Sequence, residues 1–306
     1  SGAHEVSQAE VWDPALRRAN HARSSRRVGA PYPAHCLIHH RTVLLMTSTV
    51  LVAGATGDLG RRIVRELLGL DAQVRVLTRP GSSTAKDLFG GDERVEVAAA
   101  AYSDHAALTA ALAGADVVVS AVSGTRPVIV DAQRALLRAA VAAGVPRFVP
   151  SDYSADYRRI SPGSNRNFEL RRELAAEVDA APVRATSVLN GMFAELLLDE
   201  APMILFGRRR VLFWSSADQV LDFTTKDDVA RATALTALDD DAPRVLEIAG
   251  SSISARDLAQ TLSELTGTPS RLQWAGTTRT LSAMAAVGRR VSRGPEETFP
   301  AWQGMQ

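Results

Sequence analysis

The sequence is poor in the side chains that carry covalent and metal chemistry in many enzymes. Its 306 residues contain one cysteine, Cys36, which lies within the first 45 residues together with five of the six histidines. From residue 46 onward, the lack of cysteine excludes a thiol nucleophile, a disulfide framework and a thiolate zinc site, and no metal is expected. A Ser-His-Asp relay would have to use His105, the one histidine of that stretch. Ser103 or Asp104 reads as the cap of a helix start just before it, so His105 is expected as a solvated first-turn residue. Lysine is just as scarce, with Lys86 and Lys226 alone in the chain.

Long apolar runs are missing as well. The run DVVVSAV (116–122) falls far short of the roughly 20 residues that cross a bilayer. His39, His40 and Arg41 break the stretch CLIHHRTVLLM, and there is no long apolar segment with a small-residue cleavage site. No membrane contact and a cytoplasmic location are the expectation. Nor is there an excess of one charge. Six of the 35 basic and three of the 34 acidic residues precede Met46, which leaves the rest at a net charge of about −2 with no basic stripe. Nucleic acid is therefore not an expected partner.

Residues 1–45 are rich in Arg, Ser and Ala and follow neither a strand nor a helix period, so they read as a flexible leader or an extension ahead of MTSTVLVAGATG. The remainder alternates short β-branched runs with longer amphipathic ones. Strands are expected at 49–53, 73–78, 94–99, 116–122, 147–151 and 183–190, with helices near 58–69, 104–113, 126–143 and 165–180. Strands separated by helices of this length build right-handed crossovers, hence an α/β fold with a doubly wound parallel (Rossmann) sheet. That core is expected over 46–190. From 191 to 306 the rhythm loosens into a small C-terminal substrate lobe with elements returning to the core.

The segment VLVAGATGDLG places glycines at 54, 57 and 60 between the first strand and the first helix. Such a corner lets backbone approach a pyrophosphate, and the helix start offers free N–H groups and partial positive charge. The second strand ends at Arg79, about twenty residues past the last glycine, where dinucleotide sites read the ribose. An acidic residue there would favour a 2′-hydroxyl. Arg79, Ser82, Ser83 and Lys86 offer cations and hydroxyls instead, which favours a 2′-phosphate and so NADP(H) over NAD(H).

With GATGDLG and VLTRP followed by Lys86, the segments DVVVSAVSG, PRFVPSDYSAD, NFELRREL and SVLNGMF make the chain resemble the NmrA-like and isoflavone-reductase-like branch of the atypical short-chain dehydrogenase/reductases, over about residues 48–270. The resemblance implies an NADPH-binding core with a small substrate lobe. It places the phosphate loop on Gly54, Thr56, Gly57, Asp58, Leu59 and Gly60, and the 2′-phosphate contacts on Arg79 and Lys86. The nicotinamide-side loops fall on Ser120, Ala121, Val122 and Ser123, on Pro150 and Ser151, and on Asn190 to Phe193.

The sequence also departs from that pattern. The Tyr-x-x-x-Lys pair of ordinary superfamily members is absent, because Tyr157 stands four residues after Tyr153 and Ser161 four after Tyr157. The branch resembles FEVK where this chain has Phe168-Glu169-Leu170-Arg171, so a permanently charged guanidinium replaces a lysine. Arg171 can stabilise a developing oxyanion but cannot donate a proton near neutral pH.

Three functions compete. In the first, an NADPH-dependent reductase acts on a small apolar, aromatic or conjugated carbonyl, enone or quinone substrate. Tyr153 and Arg171 would be its catalytic groups, and Met192, Phe193 and Trp214 would line the substrate, unless those three are lobe core and Tyr153 a sheet-edge structural residue. The second is a non-catalytic NADP(H)-sensing regulator that binds a protein partner. The third is a nonredox reaction on a tightly held cofactor.

Overall fold

The computed structural model describes residues 48–198, 203–277, 279–281, 283 and 287; the leader expected over 1–45 lies outside them. The chain opens with β1 (Thr49–Ala53), α1 (Asp58–Gly69), β2 (Gln73–Thr78), α2 (Thr84–Phe89), β3 (Val95–Ala99), α3 (His105–Leu112) and β4 (Val117–Ser120). One widened π turn (Pro127–Ala132) leads into α4 (Gln133–Ala142), β5 (Arg147–Val149), α5 (Arg166–Ala180), β6 (Arg184–Ala185) and β7 (Ser187–Leu189). Then come β8 (Met192–Phe193), β9 (Ile204–Leu205), β10 (Arg210–Trp214), β11 (Val220–Thr224), α6 (Lys226–Leu238), β12 (Val245–Glu247), β13 (Ser251–Ser254), α7 (Ala255–Thr266) and β14 (Arg271–Gly276).

Six strands form one parallel sheet in the order β3-β2-β1-β4-β5-β6. Its strands explain their own burial. In TVLVA, Val50 and Val52 enter a cluster with Ile63, Val64 and Leu67 of α1 and Val229, Ala230 and Ala234 of α6. Leu51 and Ala53 point the other way, into a cluster with Leu108 and Leu112 of α3, Leu136 and Ala140 of α4 and Leu174 of α5. A period of two on strands that are apolar on both faces is what a sheet covered by helices on both sides demands. The fold is therefore the doubly wound, Rossmann-like α/β arrangement. Asp104, not Ser103, caps α3, accepting from the Ala107 N–H at 3.0 Å, and His105 is exposed as expected.

Two details differ from the sequence reading. The stretch after Arg79, where the sequence pattern announces no element, closes into α2 and carries Lys86 on a helix. The strand expected over 183–190 breaks at Thr186, where β6 pairs with β5 and β7 pairs with β12. The later chain thus returns to the core twice, through β12 and through α6, which packs along α1.

The remaining late elements form two three-stranded sheets, β13-β11-β8 and β14-β10-β9. With α7 they share a third cluster centred on Val211, Phe223 and Leu258. Among the described residues no helix is long and apolar enough to cross a membrane, and no group of His, Cys, Asp and Glu is arranged to hold a metal ion.

Phe148 is fully buried at the centre of the α3–α5 face. Phe148→Ala should lower unfolding free energy by about 3–5 kcal/mol in urea titration, the cost of removing a core aromatic; a loss under about 1 kcal/mol would contradict this core.

Candidate functional site

The glycine corner is built by close approach of backbone to backbone. Gly54 has φ +81°, and a Cβ on it would come within 2.6 Å of the Ala121 carbonyl oxygen at the end of β4. A Cβ on Gly60 would run into the carbonyl oxygen of Gly54. The Gly57 N–H donates to that same carbonyl at 3.0 Å, and the Ala121 N–H donates to the carbonyl of Ala53 at 2.8 Å. No side chain caps α1, so its first-turn N–H groups stay available for an anion. Leu59 packs back onto the sheet core, and Thr56 is half-buried. The Asp58 carboxylate turns aside to Arg62 Nε and Lys226 Nζ, each at 2.9 Å.

At the end of β2, Arg79 and Lys86 are exposed, and neither side chain has a hydrogen bond or ion pair with any described residue. Other cations nearby are engaged, Arg62 with Asp58 and Asp227 and Arg75 with Glu96. Ser83 Oγ donates to Asp87, on the helix that carries Lys86.

The carboxyl ends of β4, β5 and β7 hold the expected nicotinamide-side residues. Ser120 and Asn190 are fully buried, and the Ser120 hydroxyl and both polar atoms of the Asn190 amide lack a hydrogen-bond partner among the described residues. Ser151 is occupied, its N–H donating to Gln133 Oε1 at 2.8 Å and its hydroxyl to the Val122 carbonyl at 2.7 Å. It therefore ties the segment after β5 to the loop after β4, with Pro150 buried beside it and Ser123 exposed.

Tyr153 lies within the cluster between the sheet and helices α1 and α6. Its hydroxyl is buried without a well-formed hydrogen bond. Thr233 is near enough to favour the ionised form slightly, but the Thr233 hydroxyl already donates to the Val229 carbonyl at 2.7 Å. Burial outweighs this and raises the phenol, so Tyr153 stays protonated through neutral pH. Arg171 gives one hydrogen bond, to the Asn167 carbonyl, and its Nε is buried and unpartnered. Desolvation lowers the pKa of this guanidinium, and the charge of Asp152 opposes the effect. Of the residues expected to line substrate, Met192 packs into the lobe core and Phe193 against the sheet core, while Trp214 is half-buried with its indole N–H unpartnered.

Asp152 escaped the sequence reading. It is 1% exposed, and its Oδ2 accepts from Ser187 Oγ at 2.6 Å and from the Tyr157 hydroxyl at 3.2 Å. Ser187 Oγ in turn accepts from Arg244, which pairs with Asp179. A carboxylate beside a tyrosine in SDYSAD could have signalled a polar centre, but nothing in the sequence reveals its burial. Desolvation raises the Asp152 pKa above its ordinary value of 3.8, against the lowering effect of Ser187 and Arg171. The folded state thus holds this proton more tightly than the unfolded chain, and the contribution to stability, full below pH 3.8, is lost as pH rises through the folded value. In urea denaturation across a pH series, the wild type should lose stability relative to Asp152→Asn as pH rises through the folded value of Asp152; parallel curves would refute it.

The NmrA-like family matches residues 46–284. Pinoresinol reductase 1 of Arabidopsis thaliana is 33% identical over 211 residues, which cover 64% of this chain and 66% of that protein. A bifunctional pinoresinol-lariciresinol reductase of Thuja plicata is 30% identical over 216 residues, 65% of this chain and 68% of that protein. Among solved structures, AtPrR2 with NADP+ and (+)pinoresinol is similar at a TM-score of 0.70 and 25% identity, over 84% of this chain and 85% of that one. The NADPH-dependent quinone oxidoreductase of Escherichia coli complexed with NADPH shares the fold at a TM-score of 0.64 and 24% identity, over 84% and 86% of the two chains. With more than half of its length matched, and with the glycine corner and parallel sheet in place, the chain belongs to the NmrA-like family.

Proposed function

We propose that this chain is a cytoplasmic NADPH-dependent reductase of a small apolar substrate, an aromatic or conjugated carbonyl, enone or quinone. The observation that carries the reading is the set of buried polar groups, without a partner among the described residues, that end or follow β4, β5 and β7: Ser120 Oγ, the Tyr153 hydroxyl and the Asn190 amide. Each such group costs about 1–3 kcal/mol if nothing bonds it, so together they mark where a ligand belongs. They lie at the sheet edge where doubly wound folds bind ligands, beside a glycine corner that admits backbone but no side chain. The relatives named above, among them reductases of pinoresinol, support an aromatic substrate.

The residues fit the dinucleotide. The first-turn N–H groups of α1 would take the pyrophosphate, Arg79 and Lys86 the 2′-phosphate, and the loops at Ser120–Ser123, Pro150–Ser151 and Asn190 the nicotinamide end. When bound, NADPH supplies a hydride. The chain's own part is to orient substrate and to manage charge on the substrate oxygen. Tyr153, protonated and with a hydroxyl unclaimed by protein, would donate a hydrogen bond there, and Arg171 would stabilise negative charge electrostatically. The late elements clustered on Val211 and Phe223 would form the substrate lobe.

A second reading, a dinucleotide sensor that binds a protein partner without turnover, is favoured by one observation: the Tyr153 ring is packed in the sheet core rather than standing free in a cleft. NADPH oxidation by the purified chain across quinones and enones separates the two. Tight NADPH binding with no turnover on any of them would establish the sensor.

Arg79→Ala should weaken NADPH binding by about 1.5–3 kcal/mol and leave NADH binding nearly unchanged, as read by titration calorimetry; equal loss for both would remove Arg79 from the 2′-phosphate site. Tyr153→Phe should lower kcat at least about 100-fold with NADPH affinity intact, in single-turnover oxidation with any accepted substrate. Unchanged turnover would make Tyr153 a core residue only.

A further inference from the structure

Lys226 is one of two lysines in the chain, and the sequence reading gave it no role. It opens α6 just after Thr225, whose hydroxyl caps the helix by accepting from the Asp228 N–H at 3.1 Å. Its backbone N–H donates to Glu195 at 2.9 Å. The side chain leaves its own helix and crosses to α1, where Nζ meets Asp58 Oδ2 at 2.9 Å and stands 6.0 Å from the centre of the Phe193 ring. The ammonium thus lies where three segments converge: the first residue of the glycine-corner helix, the start of α6, and the stretch following Asn190. All three are at the carboxyl edge of the parallel sheet.

Packing alone does not call for it. Arg62 and Arg65 of α1 both pair with Asp227 of α6, at 2.6 and 2.8 Å, and already join the two helices. Asp58 raises a different question. A carboxylate on the first residue of a helix suits the helix dipole, but it stands beside N–H groups that an incoming pyrophosphate would use, and like charges repel. Hydrogen bonds from Lys226 first, and from Arg62 second, hold Asp58 below the ordinary carboxylate range, so it is ionised at neutral pH. Of the three ammonium protons, one is directed at Asp58. At the end of β4, Ser120, whose buried hydroxyl has no partner among the described residues, pairs in register with Ala53, the residue before Gly54.

We propose that Lys226 belongs to the pyrophosphate site, where its ammonium neutralises Asp58 and bridges that carboxylate to the phosphate oxygens of a bound dinucleotide. This rests on the NADPH reading above. It gives the chain a cation at the phosphate corner in addition to Arg79 and Lys86 at the ribose end.

The test is binding of NADPH, and of 2′-AMP by displacement, to wild type, Lys226→Met, Lys226→Arg, Asp58→Asn and the Asp58→Asn/Lys226→Met pair. Methionine keeps an unbranched stem against Phe193 and removes the charge. NADPH should bind Lys226→Met at least about tenfold more weakly, within the range for a charged hydrogen bond, and Lys226→Arg within about threefold of wild type. The double variant should recover part of the loss, because the carboxylate that needed neutralising is gone. Binding of 2′-AMP, which lacks the pyrophosphate, should not change. NADPH affinity in Lys226→Met within twofold of wild type, or an equal loss for NADPH and 2′-AMP, would overturn the assignment while leaving the NADPH reading intact. Failure of the wild type to bind NADPH would end both.

Discussion

The closeness of β1 to β4 is the constraint on which the rest depends. Gly54 rests against the backbone of Ala121, Gly60 against Gly54, and the Ala121 N–H reaches back to Ala53 at 2.8 Å. These contacts leave no room for a Cβ, so they set how near α1 comes to the sheet and where its free N–H groups point. They also bring the ends of β1 and β4 side by side, which puts Ser120 next to the phosphate corner. The two-sided burial of the sheet then holds that geometry, with valines of β1 and β4 locked under α1 and α6 on one face and Leu51 and Val118 under α3 to α5 on the other.

Much of this was legible in the sequence because it rests on local periodicity. TVLVA, QVRVLT and the amphipathic run after Gly57 announce strand, strand and helix by patterns that tertiary contacts only reinforce. The places where the reading fell short involve partners far apart in sequence. Asp152 lies in a stretch that looks like a polar loop, and only its bonds to Ser187, 35 residues on, show it to be an interior carboxylate. Lys226 likewise acquires meaning from Asp58, 168 residues before it. The helix α2 escaped because six residues followed by Gly90 and Gly91 give too short a pattern to separate helix from loop.

The candidate site divides along the same line. Its phosphate half is set by glycine spacing and by the charge at the end of β2, and both are one-dimensional signals. Its chemical half depends on which way Tyr153 and Arg171 point, on what shares their surroundings, and on which polar groups go unbonded. Substituting arginine for lysine in NFELRREL changes the proton inventory without disturbing the helix, since α5 runs unbroken from Arg166 to Ala180 and is capped by Asn165. Composition therefore narrows the possible mechanisms but does not select one.

The fully buried Gln133 has a wider consequence. Its amide nitrogen holds the carbonyl of Ile129 in the π turn at 2.9 Å, its oxygen holds the backbone of Ser151, and Ser151 holds the carbonyl of Val122. Three segments that would otherwise be independent loops thereby become a single stiff rim. None of the three can shift away from the others without breaking one of these bonds.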